Sequence, residues 1–216
     1  MTAVGFTGPR VRCSVLALAV FLLLPAPARA ATGLTWSAAI PVDRHAAGVG
    51  MTGVACPAAT QCTAIDQQGS EVTFNPEAPA NVTALSISGA IPTSVACPSA
   101  VQCTAVDVRG VEATFNPQTA RLIASAAVDS QGVPVSVDCP TTAQCTAVDL
   151  SGNEASFNPT TGAAIGKKSP QQIDSGGTLV AVDCTSTTTC TAVDTGGQNT
   201  GPIGVTFDPT QSQVAE

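Results

Sequence analysis

The chain has 216 residues, a formal net charge of −7, 11% charged and 3% aromatic side chains, and 44% hydrophobic residues. So little charge beside so much Ala, Val, Thr, Gly and Pro excludes a disordered chain and favours many short strands. The acidic balance excludes nucleic acid and anionic lipid as partners, because both demand a basic surface.

Residues 1–30 read as a secretory signal peptide. Arg10 and Arg12 make a basic start, Ser14 to Leu24 an apolar run, and Ala28-Arg29-Ala30 a small-x-small cleavage site. The apolar run is well short of the ~20 residues needed to span a bilayer, so no stable membrane anchor is expected. Cleavage after Ala30 removes three of the eight basic residues and none of the fifteen acids, which leaves a mature formal charge of −10. The expected destination is extracellular.

The mature chain opens on a strand-like segment, Leu34 to Asp43, with Leu34, Trp36 and Ala38 on one face. A Gly-containing bend, Ala46 to Gly50, leads into one unit repeated four times, centred on 54–76, 95–117, 137–159 and 182–209. The leading cysteines Cys56, Cys97, Cys139 and Cys184 are 41, 42 and 45 residues apart. A period of about 40 to 45 residues is that of one four-stranded propeller blade. Residues 31–210 therefore read as one repeat domain, with 211–216 as a tail.

Within each copy a strand of small and branched residues ends on the first cysteine, and Cys-Pro opens a loop. A second strand starts at Cys62, Cys103, Cys145 or Cys190 and ends on Asp66, Asp107, Asp149 or Asp194. The run Asp-x-x-Gly makes the next turn: Asp can accept backbone N–H bonds and Gly can take a positive φ. A third strand carries Phe74, Phe115, Phe157 or Phe207 and stops at Asn-Pro or Asp-Pro. These Phe residues are expected as core anchors. Val82 to Ser88, Arg121 to Val128 and Ala163 to Lys167 are expected as outer strands, the counterparts of the opening segment. With it they give sixteen strands. The fold expected is all-β: a four-bladed β-propeller-like ring closed by the N-terminal strand, and a monomer rather than a dimer.

The run Ser94-Val95-Ala96-Cys97-Pro98-Ser99 with Cys103-Thr104-Ala105-Val106-Asp107 resembles the disulfide-hairpin repeat of secreted actinobacterial β-propeller-like proteins, and Trp36-Ser37 resembles the start of that repeat. The resemblance covers nearly all of residues 34 to 209, although Trp occurs once and the fourth copy is stretched. It implies a propeller and export, and no defined activity, since propellers host enzymes, scaffolds and binders alike.

Eight mature cysteines in four identical spacings, with His45 the one histidine of the chain, read as disulfides rather than zinc ligands. The pairs are Cys56–Cys62, Cys97–Cys103, Cys139–Cys145 and Cys184–Cys190, each worth about 2.4 kcal/mol by chain entropy. The repeated Asp residues are better turn formers than a carboxylate ring for a cation. Asn81 heads a glycosylation sequon. No nucleophile elbow, phosphate loop or metal-protease motif is present, so no catalytic residue, metal or cofactor is expected.

Two features break the repeat. Asp138 and Asp183 stand where the first copies have Ala55 and Ala96, and copy four holds five extra residues between its Asp and its Phe. Gln198, Asn199 and Thr200 in that insert, with Asp138 and Asp183, are the candidate ligand-binding residues, because polar departures on a rigid scaffold often carry function. The function expected is a secreted, non-catalytic binding module for a glycan, cell-wall component or protein. The alternatives are a carbohydrate-active hydrolase using paired carboxylates, or a purely structural extracellular protein.

Overall fold

The computed structural model describes residues 39, 41–42, 48–78, 82, 84–166, 169–196 and 201–211. The expected signal peptide, most of the opening strand, His45, Asn81 and residues 197–200 lie outside the described residues.

Four antiparallel sheets follow one another along the chain. The first holds β1 (Met51–Ala58), β2 (Gln61–Asp66), β3 (Ser70–Phe74) and β4 (Ala84–Ser86). The second holds β5 (Pro92–Ser99), β6 (Gln102–Asp107), β7 (Val111–Asn116) and β8 (Arg121–Ala127). The third holds β9 (Pro134–Thr141), β10 (Gln144–Asp149), β11 (Asn153–Phe157) and β12 (Gln171–Gln172). The fourth holds β13 (Leu179–Ser186), β14 (Thr189–Asp194) and β15 (Gly204–Phe207), with no fourth strand among the described residues. In each sheet the strands lie in chain order, as hairpin connections require. β1, β5, β9 and β13 run side by side in succession, so each sheet packs on the next. No contact of comparable extent joins the first sheet to the fourth among the described residues.

Two expectations need correction. The Cys-Pro step does not open a loop. β1 continues through Cys56-Pro57 to Ala58, and the ladder slips between Ala55 and Ala58. A bulge of this kind lets Pro sit inside a strand without breaking a ladder bond. The fourth copy has Thr185 in that place, and there Cys184 stands directly opposite Cys190. The third outer strand is Gln171–Gln172, not Ala163 to Lys167. Ala164 makes only an isolated bridge to Phe157. Beyond it Ser169 takes the place of a ladder residue: its Oγ accepts the Ser156 N–H at 2.9 Å and donates to the Ser156 carbonyl at 3.1 Å.

All four disulfides form across the first hairpin of each sheet, with Cα–Cα distances of 4.0–4.1 Å. Phe115, Phe157 and Phe207 are buried, and Phe74 is half-buried. The core lies between the sheets rather than within them. Ile65 of the first sheet packs on Val95, Cys103, Ala105, Ala113 and Phe115 of the second. Val106 does the same on Val137, Cys139, Ala147 and Phe157, and Val148 on Val182, Cys184, Ala192 and Phe207. Small residues on the receiving face let the neighbouring sheet approach, so each branched side chain fills one repeat-equivalent hollow.

Candidate functional site

The repeated acids are spent on the scaffold. Asp66 Oδ1 accepts the N–H groups of Gln68 and Ser70 at 2.8 and 3.0 Å. Asp107 and Asp149 repeat the pattern on Arg109 and Val111 and on Ser151 and Asn153. Gly110 closes its turn at φ 77°, and a Cβ there would fall 1.5 Å from the Asp129 carbonyl oxygen, so the chain crossing from one sheet to the next presses on that glycine. In the fourth copy Asp194 Oδ1 instead accepts from Ile203, at 2.6 Å, across the insert.

A second set of acids went unread in the sequence. Glu71, Glu112 and Glu154 stand five residues after Asp66, Asp107 and Asp149, and all three are buried. Each accepts a hydroxyl hydrogen bond two residues on, from Thr73, Thr114 or Ser156, at 2.7–3.0 Å. Those hydroxyls pair across the ladder with Thr63, Thr104 and Thr146 at 2.8 Å. Burial pushes the three Glu carboxyls up to about 7, against the opposing pull of the hydroxyl bond. The signal was available: Asp-x-x-Gly-x-Glu recurs in three copies, with Gly204 at the equivalent ladder position of the fourth. Asp129 likewise has its carboxyl pushed up, first by burial and then by the charge of Asp149 across the sheet junction.

The expected ligand-binding residues divide. Asp138 Oδ2 accepts the backbone N–H of Cys184 at 2.8 Å, so this carboxylate ties the third sheet to the fourth. Burial raises its pKa, and the neighbouring Asp183 charge adds to the rise. The two carboxylates are thus brought near each other, with Asp183 exposed. The insert leaves from the other end of the same sheet. Leu179 pairs with Asp194 there, while Asp183 pairs with Thr191, which is four residues or ~13 Å along the strand. Gln198, Asn199 and Thr200 lie outside the described residues. Among the described residues no cluster of His, Cys, Asp or Glu is arranged to hold a metal, and no helix is long and apolar enough to cross a membrane.

One open cavity of about 420 Å³ is lined by Asn116, Thr119, Arg121, Leu122 and Ile123 on the second sheet. Its floor is the turn that the Phe-Asn-Pro motif builds. Asn116 Oδ1 accepts the N–H groups of Gln118 and Thr119 at 3.0 and 3.1 Å, and Ala120 takes a positive φ of 50°. Gln118 Nε2 then donates to Gln61 of the first sheet at 3.0 Å, which fixes the turn. Its wall is β8, the edge strand of the sheet. Leu122 and Ile123 are 51% and 48% exposed. β8 runs seven residues, against three in β4 and two in β12. The sequence marked β8 as an outer strand but gave no reason to single it out.

Such a set of sheets, each of three or four antiparallel strands, defines a WD40-like, propeller-like repeat fold. Solved structures agree. The WD40 repeats of RRP9 superpose with a TM-score of 0.58 at 10% identity, over 68% of this chain and 45% of that chain. A chain of the mitotic checkpoint complex gives 0.58 at 10% identity, over 76% and 50%. The computationally designed Ika4 protein gives 0.55 at 9% identity, over 72% and 89%. The chain spans about half the length of the first and second of these. No family model matches the sequence. No curated protein matches it.

Proposed function

We propose that the protein is an exported, non-catalytic binding module that takes an extended protein segment along the free edge of β8. The observation that carries this reading is the cavity at Arg121, Leu122 and Ile123. An edge strand there leaves backbone donors and acceptors unpaired beside two exposed apolar side chains and one cation. Strand addition uses such an edge for affinity and the adjoining side-chain pocket for specificity. The cavity has no aromatic side chain to stack on a sugar ring, which favours a protein segment over a glycan or wall component. Export rests on the four disulfides, which persist in oxidising compartments, and on the leader-like residues 1–30. The hydrolase reading loses support because Asp138, one of its two carboxylates, is held by the Cys184 N–H.

The experiment is a displayed library of extended peptides beside a panel of polysaccharides, with the mature protein as bait. Apolar peptides carrying an acidic residue are expected to bind, and Leu122→Asp with Ile123→Asp to weaken them at least tenfold. Release of sugar from the polysaccharide panel, or peptide binding untouched by the double substitution, overturns the reading.

A further inference from the structure

Each sheet presents two different faces. The face toward the next sheet carries Ile65, Val106 or Val148 with Thr63, Thr104 or Thr146, and all six are buried. In the fourth sheet the same positions are Val193 and Thr191, both exposed, with Val193 at 42%. The face toward the preceding sheet is led by Val95, Val137 and Val182, at 6–9% exposure. Its member in the first sheet, Val54, is 61% exposed, and Cys56 beside it is exposed too. The deeper residues Ala64 and Val72 are buried, so the bare part is the strip along β1.

These bare surfaces are the two halves of the junction that the chain makes three times within itself. The geometry points to a second copy of this chain as the occupant of both: the fourth sheet of each copy packs on the first sheet of the other, and two chains close one eight-sheet ring. An end-to-start contact of this kind is heterologous, and two of them close under a two-fold axis.

Two further observations fit this partner. Asp138 bridges to the Cys184 N–H of the next sheet, and Asp183 is its repeat equivalent on the bare face. In the ring Asp183 meets the N–H of Cys56 on the second copy. Where the three internal junctions bury a Glu, the fourth sheet has Gly204, so closing the ring buries no further carboxyl at that position.

Sedimentation equilibrium of the mature protein tests the proposal. A mass of two chains at micromolar concentration is expected. Val54→Asp and Val193→Asp, at exposed positions on opposite ends, should each halve that mass with an unchanged circular dichroism spectrum. Asp183→Ala should weaken association at least fivefold where Asp183→Asn does not, and Leu150→Asp, on an exposed turn, should leave the dimer intact. A single-chain mass for the parent protein overturns the proposal, as does an open series of larger oligomers or a dimer that survives both Val substitutions. The parent mass decides even where a variant fails to fold.

Discussion

Val106 and Val193 occupy the same repeat position in the second and fourth sheets. Val106 is fully buried in a hollow of the third sheet, whereas Val193 is 42% exposed. Around Val106 stand Thr104, Thr114 and Glu112, closed off from solvent; around Val193 stand Thr191, Thr206 and Gly204, all exposed. The comparison teaches that a repeat sheet is completed by its neighbour. One set of residue types is core in the middle of the array and surface at its end, and the substitution of Gly for Glu occurs where no described neighbour covers the face.

The largest effect should come from the anchor of a central sheet. Phe115 is 0% exposed and packs under Ile65 of the preceding sheet, so Phe115→Ala removes a filled hollow. A loss of about 3–5 kcal/mol is expected. Phe74, the same position in the first sheet, is half-buried, and Phe74→Ala should cost about half as much. Denaturant unfolding of both variants checks this. Equal losses would show that burial between sheets is not what the Phe contributes.

The next effect depends on pH. Glu71, Glu112 and Glu154 have folded pKa values of about 7 against an ordinary 4.5, so the folded chain binds protons that the unfolded chain has released. Stability is therefore greatest where these carboxyls are protonated and falls as pH rises from about 4.5 through 7, with no further loss above that window. Unfolding midpoints should be higher at pH 5 than at pH 8. Glu112→Gln should flatten that slope and raise stability at pH 8 relative to the parent, since the neutral amide keeps the acceptor for Thr114. Superimposable pH profiles for parent and variant would contradict the assignment.

How much of this was legible follows from what spacing can and cannot encode. The period, the Cys pairs and the Asp turns are contacts within one copy, so their partners sit at fixed offsets and the sequence displays them. The Glu–Thr–Thr network was legible in the same way, through Asp-x-x-Gly-x-Glu, but a Glu in a strand reads as solvated until a neighbouring sheet is placed over it. The extent of β8 and the cavity beside it were not legible, because Leu122 and Ile123 look like core residues in any alternating strand. Their exposure comes from β8 standing at the sheet edge with Arg121 opposite Asn116. The Cys-Pro bulge was missed for a third reason: Pro is a turn signal by composition, and only the slipped ladder at Ala55 and Ala58 accommodates it inside β1.

Asp138 gives the smallest effect and the sharpest discrimination between a junction residue and a ligand-binding one. Its Oδ2 accepts the backbone N–H of Cys184 in the next sheet. Asp138→Ala leaves that donor without its partner at a half-buried place, which should cost about 1 kcal/mol. Asp138→Asn keeps an oxygen acceptor and removes both the desolvated charge and its repulsion from Asp183, so it should be no less stable than the parent at pH 7. The parent itself should gain from this site as pH falls, because the folded carboxyl is raised above its ordinary value and its protonated form is the one burial favours. A carboxylate kept for a ligand behaves otherwise: Asp138→Asn would abolish binding while leaving unfolding unchanged. Measuring peptide binding and unfolding on the same three proteins separates the two. Loss of binding in Asp138→Asn with full stability would move the site from β8 to the third and fourth sheets, whereas a stability loss confined to Asp138→Ala, with binding intact in both, leaves Asp138 as the hydrogen bond that ties one sheet to the next.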